Sequence, residues 1–110
     1  MRGDPAMLRR LVRNLVENAR RHGGGAVEAW LERAAGGVLL VVADRGPGVP
    51  EAERERIFEP FYRAAGHAEG ADGGVGLGLS LVREIAEAHR GSARVAPREG
   101  GGSRFEVRLG

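Results

Sequence analysis

Leu8, Leu11, Val12, Leu15, Val16 and Ala19 recur at three- and four-residue spacing, the period of a helix with one buried face. Asp4 followed by Pro5 supplies its start: a carboxylate to accept the first free N–H groups, then a ring whose fixed φ suits the first helical position. Three glycines, 23–25, end it. The period then changes to two. Val27, Ala29 and Leu31 alternate with Glu28, Trp30 and Glu32, which predicts a strand with one wet face. Gly36 and Gly37 turn the chain into the unbroken apolar run 38–43, a more buried strand, and the two form a hairpin. Residues 50–57 read as a short helical turn ending before Pro60, and the small, glycine-rich stretch 64–74 as a mobile loop. A second amphipathic helix is expected from about 77 to 88, stopping at Gly91. Strands at 92–96 and 104–109 follow, joined by a turn at 97–102, with Phe105, Val107 and Leu109 on one buried face. The order helix, hairpin, loop, helix, hairpin predicts an α+β fold. It is a two-layer α/β sandwich, with a mixed, mostly antiparallel sheet and helices on one face.

With 110 residues the chain is long enough for one domain, and residues 1–110 are read as a single unit. The absence of cysteine excludes disulfides and thiolate metal sites. The longest apolar run is far below the ~20 residues that span a bilayer, and no signal-peptide core follows Met1. The expected location is therefore cytoplasmic, with no membrane contact by this segment. Anchoring of a longer parent in the inner membrane is left open. All 17 basic residues are arginine, but they are interspersed with 15 acids to leave only +2. No basic stripe interleaved with aromatics appears, so a nucleic-acid partner is not expected. The 19 glycines cluster at 23–25, 36–37, 46–48, 66–78 and 100–102, as turns and ligand loops require.

Three places carry candidate chemistry. At about 100° per residue, Asn14 and Asn18 lie one turn apart at the border of the apolar stripe, with Arg21 just beyond. Asparagine is a mediocre helix former, and an amide oxygen there can ligate a hard cation such as magnesium or simply bond neighbouring backbone. Asp44 ends the buried strand and is followed by Gly46 and Gly48. Its carboxylate can accept a hydrogen bond from an exocyclic amine such as adenine's, or initiate a turn. Gly73, Gly74, Gly76 and Gly78 precede the second helix, where free N–H groups suit phosphate oxygens, although many such turns are only tight loops. Glu17 points to the polar back of its helix and reads as a solvated charge. His22 and His89 sit at helix ends, where a cation suits the dipole, and His67 falls in the predicted loop. Phe58, Pro60, Phe61 and Tyr62 read as a hinge anchor or as ordinary core.

In order, residues 11–19 (LVRNLVENA), 44–48 (DRGPG), 57–63 (IFEPFYR), 74–79 (GVGLGL) and 102–105 (GSRF) closely resemble the N, glycine and F boxes of sensor histidine kinases. The resemblance covers residues 4–109 and is to the catalytic ATP-binding domain, whose superfamily includes DNA gyrase, mismatch-repair ATPases and heat-shock chaperones. It implies the Bergerat ATP-binding fold, with ATP and Mg2+ as ligands. It implies that Asn18 holds magnesium beside Asn14, and that Asp44 reads the adenine amine flanked by Gly46 and Gly48. Arg21 and Arg63 would contact phosphate. Gly74, Val75, Gly76, Leu77 and Gly78 would form the junction of lid and phosphate-side helix. His22 and Ser103 stand where the family usually has Tyr and Thr, so position 22 departs from the family's pattern while 103 keeps its hydroxyl. The family's ATPases carry Glu at the position of Asn14. An amide cannot act as general base, so Asn14, with Arg21 and Arg63, fits slow hydrolysis and transfer of the γ-phosphoryl to another acceptor. The implied acceptor is a histidine on a dimerisation domain of the same parent, whose helices this chain lacks, with a response regulator served indirectly. An anti-sigma-factor type of serine kinase, and a nucleotide-binding module without transfer, are the alternatives.

Overall fold

The computed structural model describes residues 4–22, 26–60 and 78–110, the His22 side chain excepted. The first helix, α1 (Pro5–His22), begins as its sequence predicts. Asp4 Oδ1 accepts the N–H groups of Ala6 and Met7 at 3.0 and 3.4 Å. Leu11, Leu15 and Ala19 are fully buried along its apolar stripe.

The strands are β1 (Val27–Ala34) and β2 (Gly37–Asp44), then β3 (Ser92–Pro97) and β4 (Ser103–Leu109) after the second helix, α2 (Gly78–Ala88). They pair in the order β1-β2-β4-β3, and every pair among the described residues is antiparallel. The last strand therefore lies inside the sheet, between β2 and β3. Its register sets Phe105 opposite Val42 and Val107 opposite Leu40, which puts all four on the face covered by α1 and α2. Leaving water stabilises each large apolar side chain by roughly 1.5–3 kcal/mol. The predicted helical turn at 50–57 resolves into two 3₁₀ turns, Glu51–Glu53 and Arg56–Phe58. The second sends Phe58 into the core, edge-on to Phe105 with ring centroids 6.5 Å apart. β1 is an edge strand that the helix layer covers only in part: Val27 packs on the core, while Leu31 is 67 % exposed. The 64–74 loop, the glycines at 23–25 and the predicted first residue of the second helix lie outside the described residues.

The end of α2 differs from the sequence expectation in one informative way. Gly91 N–H bonds Ala86 O at 2.8 Å and Arg90 N–H bonds Glu87 O at 3.1 Å, the paired closure that ends many helices. The left-handed residue in it is Arg90 (φ 61°), not the glycine. Gly91 is needed for space, since a Cβ there would lie 1.6 Å from Arg108 O on β4. His89 also departs from the helix-end cation expected of it. Its Nδ1 is 2.8 Å from Ile85 O, and its Nε2 accepts the Asp4 N–H at 3.1 Å. A carbonyl only accepts and an amide N–H only donates, so the tautomer that satisfies both contacts carries its proton on Nδ1.

The helix-free face is closed by charged side chains. Trp30, Val41, Glu106 and Arg94 form one row across the four strands. Val41 is fully buried although no helix among the described residues covers it. Arg104 lies over the Trp30 ring, 5.3 Å from its centroid, and donates to Glu106 Oε2 at 2.6 Å. Arg94 donates to the other oxygen at 2.5 Å. Burial alone would raise the Glu106 pKa. The hydrogen bonds and charges of Arg104 and Arg94 outweigh it and hold the carboxyl below its ordinary value of 4.5.

Candidate functional site

β2 delivers Asp44 as its last residue, only 4 % exposed. Its Oδ1 accepts two backbone N–H groups, from Gly46 at 3.0 Å and from Ser103 at 3.2 Å. Oδ1 thus makes the local turn, and the described residues place no donor on Oδ2. Ser103 is itself buried at the start of β4. It reaches Asp44 because Gly102, at φ +99°, lies against the strand end; a Cβ there would fall 2.0 Å from Asp44 O and 2.8 Å from Arg45 Cα. Gly48, at φ +81°, faces the same turn, and its Cβ position is 3.4 Å from Gly102 O. Gly46, Gly48, Gly102 and Ser103 therefore surround one fixed carboxylate. Gly102 was not among the site residues expected from sequence, although it opens the 102–105 box and ends a run of three glycines before Ser103.

α1 packs on β2 and along α2, with the start of α1 against the end of α2. Asn14 and Asn18 are half-buried on it. Neither amide makes a hydrogen bond among the described residues, so both retain donor and acceptor capacity. Arg21 is exposed and forms no ion pair among the described residues, and Glu17 is exposed as expected. Gly78 opens α2, and a Cβ there would meet nothing within 4 Å. The His22 side chain, Arg63, Gly74, Val75, Gly76 and Leu77 lie outside the described residues, as do Phe61 and Tyr62. No helix among the described residues is long and apolar enough to cross a membrane.

Residues 3–110 match the model of the histidine kinase-, DNA gyrase B- and HSP90-like ATPases. The chain belongs to this family. Among its relatives is the sensor protein CutS of Streptomyces coelicolor, 43% identical over 99% of this chain and 27% of CutS. Another is the sensor histidine kinase CpxA of Escherichia coli, 36% identical over 97% of this chain and 23% of CpxA. The chain thus spans about a quarter of the length of these two curated relatives. Among solved structures, the mycobacterial sensor histidine kinase MprB superposes with a TM-score of 0.82 at 33% identity, covering 97% of this chain and 72% of that one. The ATP-binding domain of PrrB from Mycobacterium tuberculosis gives 0.76 at 37% identity, covering 97% and 68%. The α+β fold with its four-stranded antiparallel sheet is that of histidine kinase ATP-binding domains, and the relatives are sensor histidine kinases.

Proposed function

We propose that this chain binds Mg-ATP and donates its γ-phosphoryl group to a histidine on a separate dimerisation domain of the same parent protein. A response regulator would then take the phosphoryl group. The observation that carries this reading is Asp44. Two backbone amides fill one oxygen of this largely buried carboxylate and leave the other as an acceptor, which suits an exocyclic amine and rejects the carbonyl that guanine presents at the same position.

The residues present also fit the cation. Asn18 supplies an amide oxygen unclaimed by other described residues, with Asn14 one turn before it, and magnesium binds through few protein oxygens together with substrate phosphates. When bound there, magnesium would supply neutralisation of phosphate charge. Arg21 and Arg63 contribute fixed positive charge, and Gly74, Val75, Gly76, Leu77 and Gly78 contribute backbone N–H groups before α2. Ser103 adds a hydroxyl beside the base, and His22 stands near the phosphate subsite. Asn14 offers no carboxylate to activate water. The phosphoryl group is therefore kept for an acceptor nitrogen, and catalysis is positioning plus electrostatics.

Calorimetric titration with Mg-ATP tests the reading. Asp44→Asn keeps the Oδ1 contacts but turns an N–H toward the adenine amine. It should lower affinity about 10–100-fold, the range for a hydrogen bond to a charged group. Unchanged affinity would remove Asp44 from the site. Incubation with the parent's histidine-bearing helices should give an acid-labile phosphoprotein; an acid-stable product would point to serine transfer, and none to a binding module.

A further inference from the structure

We propose that His89 is a positioning residue for the phosphate side of the site, acting from the opposite end of the helix layer. The proposal rests on the reading of α1 as the helix that carries Asn14 and Asn18 to the nucleotide. The Nδ1–H of His89 is committed to Ile85 O within its own helix, which aims Nε2 outward along a fixed line. That line ends on the backbone N–H of Asp4, 85 residues away in sequence and immediately before α1. Asp4 is already committed through its side chain to Ala6 and Met7. The imidazole is therefore a rigid peg between the last turn of α2 and the cap of α1.

The peg is itself braced. The His89 carbonyl accepts the Gly110 N–H at 3.1 Å, and Gly91 sits against Arg108 O, so the end of α2 is fixed to β4. Asn14 and Asn18 lie roughly 15 and 21 Å further along α1 from Asp4, at 1.5 Å per residue. A pivot of a few degrees at Asp4 then moves Asn18 by about 1–2 Å, enough to misplace a metal ligand.

The test uses the two conservative replacements, because each reproduces one ring nitrogen. His89→Asn places an NH2 group near the position of Nδ1 and retains only the Ile85 bond. His89→Gln places an amide oxygen within reach of Asp4 N–H and retains only the link between the helices. His89→Asn should weaken Mg-ATP binding about five-fold, as loss of one neutral hydrogen bond would. It should also speed hydrogen exchange at the Asp4 amide. His89→Gln should remain within about two-fold of the wild type in both. Equal behaviour of the two variants overturns the proposal. In the wild type, ¹⁵N correlation spectra of the imidazole at neutral pH should show the Nδ1–H tautomer, and an Nε2–H tautomer overturns the clasp without any variant. A wild-type chain that shows this tautomer but binds no nucleotide overturns the functional reading and the positioning role together, leaving the clasp itself confirmed.

Discussion

In the proposed site, the end assigned to the base and the end assigned to the phosphates are built by different means. At the base end a buried carboxylate is held by two main-chain amides, and Gly102 packs against the strand end where a Cβ would clash. At the phosphate end the described side chains, Asn14, Asn18 and Arg21, stand on one helix, half-buried or exposed, with no hydrogen bond to other described residues. Reading a base requires one oxygen in one place before the ligand arrives. Phosphate and metal bring their own charge and can organise flexible donors around themselves. The base end should therefore fail through its backbone and the phosphate end through its charge.

The largest effect should come from Gly102→Ala. The new Cβ would meet Asp44 O at 2.0 Å, and φ of +99° disfavours any L side chain. Relief requires the β3–β4 turn to move, carrying Ser103 N–H away from Asp44. Denaturant unfolding should show a loss of about 2–4 kcal/mol, and ATP affinity should fall with it. Gly78→Ala is the contrasting glycine on the phosphate side. With open space at its Cβ and a helical position, it should leave stability unchanged or raise it by up to about 1 kcal/mol. If the two behaved alike, the base end would not be specially constrained.

Local pattern carried most of the fold because most of it is periodic. Leu11, Leu15 and Ala19 announce one buried face; Val38 to Ala43 announces a central strand; Asp4-Pro5 announces a helix start. The strand-end position of Asp44 was legible because it closes an apolar run before two glycines, while the role assigned to it came from the resemblance to the kinase boxes. What could not be read joins residues far apart in sequence. Ser103 N–H meets Asp44 across 59 positions, and His89 meets Asp4 across 85. A histidine at a helix end looks like a cation for the dipole until its partners are known. Likewise the stop at Gly91 was legible, but not that the left-handed residue there is Arg90 or that Gly91 is set by the approach of β4.

A smaller effect is expected at the phosphate end. Arg21→Ala removes an exposed charge with no ion pair among the described residues, so unfolding should be unchanged within about 0.5 kcal/mol. Mg-ATP affinity should fall several-fold at low salt, and the difference should shrink as ionic strength rises, since exposed charges are screened over about 8–10 Å. Asp44→Asn, by contrast, should weaken binding by a factor nearly independent of salt, because its carboxylate is buried. Equal salt dependence in the two variants would erase the distinction between the ends.

The smallest effect lies behind the base end, on the helix-free face of β4. Ser103 begins that strand, and Glu106, three residues on, ties it to Arg104 and to Arg94 of β3. The Glu106 carboxyl titrates below 4.5 in the folded chain and near its ordinary value when unfolded. The unfolded chain therefore takes up the proton first as pH falls. The stabilisation is fully present above the unfolded value and is lost as pH drops through the folded one. Arg94 is largely exposed, so solvent discounts its share, and the contribution should stay at the modest end for hydrogen-bonded ion pairs. Thermal unfolding followed from pH 6 down to pH 3 should show the wild type losing stability more steeply than Glu106→Gln, with the curves converging at the acid end. Parallel curves would mean that the arginines do not hold this carboxylate, and that β4 keeps Ser103 in register by its backbone pairing alone.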